Sequence, residues 1–281
     1  MKIVFISYAD ENMAFSLKRI GKQAKRLRFF DEIILWTPKM LPKYVLDSPL
    51  MKYNRGGGYW AWKPIIIRET LQQFDEGTIV VYCDAGCTLN KSSEWKSFFE
   101  KLERYNTLCF EYKDTMDVWD KFGQTSTKIK YWTKDKTLNY FNDLLSDTKY
   151  GDKYNKIWGG LILCRGKENK FINHWLKLTL ENPELIIDPE LDEDQYENKL
   201  LAYHKHDQSI ITPLAHLYND IVNILPETAE TEINSSVIAS RFRAKSYKDA
   251  FILNFKSTIR NMFGTSLIEN MKALKNITQK K

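Results

Sequence analysis

The chain has 281 residues, 43% hydrophobic and 28% charged, which is the composition of a globular protein long enough to bury a substantial core. The opening MKIVFISYADENM has too short an apolar run for a signal peptide, and no segment reaches the roughly 18 apolar residues of a membrane span, so a cytoplasmic protein is expected. The net charge of +6 is uneven, because residues 241 to 281 hold ten Lys or Arg against two acids, leaving residues 1 to 240 at about −2.

Lys2 to Ser7 reads as a buried strand, followed by a helical stripe of Met13, Leu17, Ile20, Ala24 and Leu27 and a second strand at Glu32 to Trp36. This βαβ opening makes a nucleotide-binding half-sheet plausible, with the loop Ser7-Tyr8-Ala9-Asp10 facing the ligand edge. There is no GxGxxG or Walker motif, which disfavours a dinucleotide enzyme or a P-loop NTPase.

Arg55 to Asn90 is the most informative stretch. Pro64 suits a first helical position, Ile67, Leu71 and Phe74 repeat at helical spacing, and Gly77 lies where a C-terminal cap is expected. Thr78 to Cys83 is continuously apolar and β-branched, as a parallel strand covered on both faces would be. Asp84 then falls at a strand's carboxyl end, the edge where open α/β sheets bind ligands, and the small Ala85 and Gly86 leave room for a metal or a diphosphate. The competing reading is a plain Asp-x-Gly turn. Trp60 and Trp62 either stack on a sugar or base or wedge the turn into the core.

A helix near Glu94 to Arg104 and a strand at Leu108 to Tyr112 precede residues 113 to 155, which have no clean period and suit an active-site lid or substrate-binding insert. Ile157 to Cys164 reads as an interior strand whose Gly159 and Gly160 allow close approach of backbone or ligand. Next comes a helix carrying Phe171, Trp175 and Leu178, and then Glu181 to Glu197, with eight acids and no base, reads as a solvated loop. In Tyr203-His-Lys-His-Asp-Gln-Ser209, Asp207 can cap a helix with Ile210, Leu214 and Leu217 on its apolar face, and Pro213 implies a kink. The four cysteines, Cys83, Cys87, Cys109 and Cys164, lie in or beside apolar runs without zinc spacing.

From Asp249 onward two apolar stripes, Ile252, Phe255, Ile259, Met262 and then Leu267, Met271, Leu274, are flanked by basic side chains. A basic amphipathic helical tail over 241–281 suits an anionic membrane surface; packing on the catalytic domain or on the partner of a homodimer is the alternative. A nucleic-acid role for the tail is disfavoured by the slightly acidic remainder and the lack of a reader motif.

The order of a helix and strand ending at Asp84, a glycine-containing strand at Trp158 to Cys164, and a helix opened by Asp207-Gln208 resembles glycosyltransferases of the GT-A fold, of the glycogenin and lipopolysaccharide galactosyltransferase type. Arg55-Gly-Gly-Gly-Tyr-Trp-Ala-Trp-Lys-Pro64, Asp84-Ala-Gly-Cys-Thr-Leu-Asn90, Trp132-Thr-Lys134 and His204-Lys-His-Asp-Gln-Ser209 more closely resemble bacterial glycosyltransferases found with capsule and O-antigen genes, over roughly residues 1 to 220. The resemblance implies a GT-A-like, Rossmann-like mixed and mainly parallel sheet flanked by helices in a catalytic domain over 1–240. It implies transfer from a nucleotide-sugar donor, a UDP-sugar above others, to a saccharide or lipid-linked acceptor in surface polysaccharide synthesis. A noncatalytic carbohydrate-binding protein is the alternative.

Residue by residue, Ser7, Tyr8, Lys63, Asp84, Ala85 and Gly86 are expected at the donor, with Arg241, Arg243 and Lys245 closing over its phosphates. Trp60, Trp62, Trp158, Gly159 and Gly160 are expected at the acceptor, and Asp207, Gln208 and His206 at the reacting centre. A divalent metal, Mn²⁺ or Mg²⁺, is implied at Asp84. Here, however, Gly86 replaces the second carboxylate of the family's DXD, so either another residue, Asp207 or His206, completes the shell or the enzyme needs no metal. Trp158-Gly159-Gly160 likewise replaces the family's Asn-Ser-Gly pattern.

Overall fold

The first βαβ unit forms as its periodicity implies. Strand β1, Ile3–Tyr8, pairs in parallel with β2, Glu32–Trp36, and helix α1, Ala14–Leu27, joins them while burying Leu17, Ile20 and Ala24. The computed structural model describes residues 1–114, 126–189, 200–230, 232 and 234–251. Helix α2, Trp62–Gln73, starts two residues before Pro64, which still lies in the first turn, where a missing N–H breaks no intrahelical bond. Gly77 sits in the turn beyond the helix, and the cap is Phe74.

Strand β3, Ile79–Cys83, is buried at every position, so the centre of the sheet is covered on both faces. The chain continues through β4, Thr88–Leu89; α3, Glu94–Arg104; β5, Thr107–Glu111; α4, Asp135–Leu145; β6, Leu161–Arg165; α5, Lys170–Glu181; α6, Asp207–Leu217; β7, Val222–Pro226; and β8, Val237–Ile238. Six strands form one sheet in the order β2-β1-β3-β6-β5-β7, parallel throughout except for β6, while β4 and β8 make a small antiparallel pair. The mixed, mainly parallel sheet flanked by helices is thus as expected.

Residues 126–155 of the middle region are more ordered than the missing period implied. They hold a 3-10 turn at Ile129–Trp132, helix α4 and a short helix at Tyr150–Lys153. Within α4 only Thr137 and Phe141 are buried, too few contacts to leave a stripe in the sequence. All four cysteines are buried, as their place in apolar runs implies. Among the described residues no helix is long and apolar enough to cross a membrane. The amphipathic stripes from Ile252 onward lie outside the described residues.

Candidate active site

Two features of the sheet create the site. The strand order reverses between β1 and β3, so their carboxyl ends open a crevice at Tyr8 and Asp84. β6 runs the opposite way, which brings its start to the same edge: Cys83 pairs with Leu161, and the Asp84 N–H donates to the Gly160 carbonyl at 2.9 Å. The first turns of α2 and α6 supply Lys63 and Asp207.

Lys63 is the hub. Its Nζ donates to Asp207 Oδ2 at 2.6 Å and to the Gly159 carbonyl at 2.9 Å, and stands 3.4 Å from Asp84 Oδ1. The Tyr82 hydroxyl donates to the same Asp84 oxygen, and the Gln208 N–H donates to Asp207 Oδ1 at 3.0 Å. Burial alone would lower the Lys63 ammonium, but the Asp207 and Asp84 carboxylates outweigh it and raise it above the ordinary lysine value. Burial, followed by the Asp84 charge, pushes the Tyr82 phenol well up, so it stays a donor. Gly159 is required sterically, because a Cβ there would stand 2.8 Å from Asp207 Oδ2 and 3.3 Å from Lys63 Nζ. An ion pair so deeply buried costs about 3–5 kcal/mol when one partner is removed.

The glycine and tryptophan turn also has a physical reason. Five successive residues, Gly56, Gly57, Gly58, Tyr59 and Trp60, have left-handed backbone, with φ of 57°, 60°, 89°, 54° and 60°. Glycine adopts this freely, but Tyr59 and Trp60 pay about 1–2 kcal/mol each and must be held. Tyr59 is held by donating from its hydroxyl to Asp188 Oδ2 at 2.6 Å, beside Arg55, whose Nη1 lies 2.7 and 2.8 Å from the two Asp188 oxygens. Burial opposes it, yet the Tyr59 and Arg55 hydrogen bonds keep the Asp188 carboxyl below its usual range. Trp60 stacks on His206 at 5.5 Å between ring centroids, and Trp62 stacks on Tyr8 at 4.0 Å while donating to the Gly56 carbonyl at 2.9 Å. The stacking and the Trp62 hydrogen bond wedge both tryptophans into the fold, and both also line the cleft.

These groups line one cleft of about 1330 Å³. A single drug-sized ligand fills roughly 300–1,000 Å³, so there is room for two substrates side by side. Residues 241–245 lie along one wall. The Phe242 N–H donates to the Gly86 carbonyl at 2.8 Å, and Ser16 Oγ donates to the Phe242 carbonyl at 2.8 Å while accepting from the Ala244 N–H at 2.9 Å. Arg243 and Lys245 line the cleft beside Asp10, Ala85 and Gly86. Tyr112, Trp132, Trp158 and Tyr203 also line the cleft.

Several expected roles change. Ser7 is fully buried and does not line the cleft; strand alternation turns it to the other side from Tyr8, whose phenol burial raises to about 12. Asp207 is not the cap of α6 but its first residue, and His206, at φ 49°, is the cap. His206 donates from Nδ1 to the Ile186 carbonyl at 2.7 Å, and its Nε2 is 3.7 Å from Asp188, so it ties the start of α6 to residues 186–188. Burial lowers its pKa, which keeps it neutral. Arg241 pairs with Glu230, 3.0 Å away.

The donor set at Asp84 does not fit a divalent metal. The space between the Asp84 and Asp207 carboxylates is taken by the Lys63 ammonium, Asp84 Oδ1 already accepts from Tyr82, and among the described residues no three His, Cys, Asp or Glu converge as ligands. Sequence reasoning missed Lys156, Tyr112 and Glu230 as residues of the cleft. The one signal was Trp132, already part of a motif, whose ring the Lys156 and Lys205 ammoniums approach.

No known family matches the sequence, and no curated protein matches it. Similar solved structures include mouse xyloside xylosyltransferase 1 in its apo form, at 11% identity over 80% of this chain and 85% of that one, TM-score 0.43. Galactosyltransferase LgtC in complex with donor and acceptor sugar analogues matches at 15% identity over 80% and 73%, TM-score 0.36. A 4-diphosphocytidyl-2C-methyl-D-erythritol synthase from Anaerococcus prevotii matches at 12% identity over 92% and 98%, TM-score 0.40. Two of the three are glycosyltransferases by name and the third is a different enzyme, and likenesses this slight carry no argument about chemistry. Function therefore rests on this chain's own site: a buried Lys63–Asp207 ion pair with the partly exposed Asp84 beside it, at the switch point of a mixed, mainly parallel α/β sheet.

Proposed function

We propose that the protein is a glycosyltransferase that moves a sugar from a nucleotide-sugar donor, a UDP-sugar above others, to a saccharide or lipid-linked saccharide acceptor in surface polysaccharide synthesis. The observation that carries this reading is the convergence of Asp84, Lys63 and Asp207 at the floor of a cleft large enough for two substrates. In the reaction the bond from the anomeric carbon to the diphosphate breaks with its electron pair leaving on the diphosphate, the acceptor oxygen bonds to that carbon, and the acceptor proton passes to Asp207 if the course is inverting or to the leaving diphosphate if it is retaining. Negative charge grows on the leaving diphosphate and positive charge on the sugar, so fixed charges of both signs are needed close together.

Lys63, Asp84 and Asp207 supply that arrangement without reorganisation, because each is held by the others. The donor nucleotide lies along the β1 and β3 ends, with Tyr8 and Trp62 on one side and Arg243 and Lys245 over the diphosphate. Asp207, with one oxygen on Lys63 and the other on the Gln208 N–H, faces the anomeric carbon as a fixed carboxylate. The acceptor enters from the aromatic half, past Trp158 and Trp132.

Thermal-shift titration with UDP-, GDP-, CMP- and dTDP-sugars, followed by an assay of nucleotide release (the nucleoside diphosphate, or CMP from a CMP-sugar), tests this. A UDP-sugar is expected to stabilise the protein, and Asp84→Ala and Asp207→Ala are each expected to cut turnover by about 100-fold or more, as loss of one preorganised charge does. Undiminished turnover in both variants would sink the site assignment, and no response to any nucleotide would sink the function. The anomeric configuration of the product, read by NMR, distinguishes inversion from retention.

A further inference from the structure

We propose that residues 39–46, which follow β2, dock the protein on an anionic lipid bilayer. Of the nine large hydrophobic side chains exposed among the described residues, three fall within seven positions: Met40 at 46%, Tyr44 at 45% and Leu46 at 47%. Single exposed hydrophobics need no explanation, but a run of them does. The positions between them hold the segment rigid. Leu41 and Val45 are buried in the core, so the 3-10 turn at Pro38–Met40 and the helical turn at Lys43–Leu46 are pinned on their inner side. The Tyr44 hydroxyl donates to Glu69 Oε1 at 3.0 Å, which fixes that ring as well.

The charge of the segment selects its occupant. Lys39 and Lys43 are exposed among the apolar side chains, and Thr37 to Leu46 contains no acid. From Thr37 through the exposed Lys52 the balance is three lysines against Asp47, and Glu69 is already paired with Arg68 at 3.0 Å. Apolar groups interleaved with lysines, with a tyrosine among them, match a bilayer interface. The apolar groups and the ring enter the headgroup layer while the ammoniums meet lipid phosphates. A second copy of the chain on a two-fold axis would instead set the same lysines against one another, which favours lipid over self-association.

The fold places this surface at the sheet edge that carries the cleft. β2 runs parallel to β1, Trp36 pairs with Tyr8, and Tyr8 lines the cleft, so the chain leaving β2 emerges at that edge. It reaches the cleft itself at Asn54, Gly56 and Gly57. A second exposed ring stands at the same edge, where α1 begins after β1. Tyr247, 75% exposed, meets Phe15 of the first turn of α1 edge-on at 4.7 Å between centroids, and the exposed Lys248 follows it. Of the acids near this pair in sequence, Asp249 accepts from Ser246 Oγ at 3.0 Å and Glu11 is exposed. A bilayer at this edge brings the cleft to a lipid-linked acceptor rather than to a free saccharide. That consequence rests on the glycosyltransferase reading above, whereas the docking does not.

Co-sedimentation of the full chain with vesicles tests the surface. Binding is expected to phosphatidylcholine vesicles containing about 30% phosphatidylglycerol, and to be about tenfold or more weaker to phosphatidylcholine alone. Lys39→Gln combined with Lys43→Gln is expected to weaken binding to the anionic vesicles about tenfold or more, at roughly a factor of five per lysine, and Met40→Ser combined with Leu46→Ser by a similar factor. UDP affinity and melting temperature should remain those of the wild type in both double variants, because these four side chains are exposed and none lines the cleft. Tyr44→Trp reads insertion directly, since bromine-labelled lipid should quench its fluorescence more than that of the wild type. Equal vesicle binding by the wild type and both double variants would overturn the surface and move the anchor elsewhere on the chain. Equal binding to neutral and anionic vesicles, or binding to neither, would overturn it too. A dimer in sedimentation velocity that Met40→Ser with Leu46→Ser dissolves would assign the surface to a second copy instead. If UDP does not bind, the glycosyltransferase reading fails separately, and the vesicle measurement still decides the docking.

Discussion

Gly159 shows how one hydrogen atom sets the geometry of the site. A methyl group in its place would press on both Asp207 and Lys63, at 2.8 and 3.3 Å, and neither can retreat from its partner without leaving a buried charge unpaired. Gly159→Ala is therefore expected to cost about 1–3 kcal/mol by chemical denaturation, the ordinary price of overpacking, while lowering turnover far more than that stability loss implies. A second effect at this scale is the pH dependence of stability. Burial raises Glu227 from 4.5 to about 7 and lowers Lys156 from 10.5 to about 7. Between pH 4.5 and 7 the folded protein keeps a Glu227 proton that the unfolded chain has released, so this group makes stability fall as pH rises. Above pH 7 the unfolded chain keeps a Lys156 proton that the folded protein has released, so this group makes stability rise towards pH 10.5. Urea midpoints across pH 5 to 9.5 are expected to lose the rise above pH 7 in Lys156→Met and the fall below it in Glu227→Gln.

At the level of elements, what was legible in the sequence followed from local chemistry. The apolar run of β3 fixed Asp84 at a strand end, and the paired glycines before β6 marked a close approach, because both signals lie within a few adjacent residues. The Lys63 hub was not legible in that way. Its partners are 21 and 144 residues further along, and only the antiparallel course of β6 and the packing of α6 bring Gly159 and Asp207 onto the first turn of α2. Glu230 and Lys156 were hidden for the same reason, and α4 because it buries too little to imprint a period. The 241–245 segment adds a testable element of its own. Ser16 Oγ both donates to the Phe242 carbonyl and accepts from the Ala244 N–H, so Ser16→Ala removes two of the bonds that hold Arg243 and Lys245 at the cleft, where the proposed donor diphosphate would lie. At about 1 kcal/mol net for each bond, UDP affinity is expected to fall by about tenfold or more in isothermal titration, with far-UV circular dichroism unchanged.

For the molecule as a whole, the charge arrangement makes a commitment about cations. A chelating site would present two carboxylates to a divalent ion, but here the ammonium of Lys63 stands between Asp84 and Asp207 and is itself raised by them, so it stays charged across the physiological range. Bringing a second cation against that ammonium would be repulsive. Donor binding is accordingly expected to raise the melting temperature as much with EDTA as with Mn²⁺. At a UDP concentration 100 times Kd the stabilisation is about 2.7 kcal/mol, which for a chain of this size corresponds to roughly 5–10 °C. Lys63→Met reverses the arrangement. It leaves Asp84 and Asp207 facing one another without a counter-ion, at a cost of about 3–5 kcal/mol, and the relief available from a metal should make the variant, unlike the wild type, melt higher in Mn²⁺ than in EDTA. A wild-type protein that requires Mn²⁺ for its UDP shift would show that the diphosphate recruits a metal past Lys63, and the ammonium would then lose its role as the permanent cation of the site.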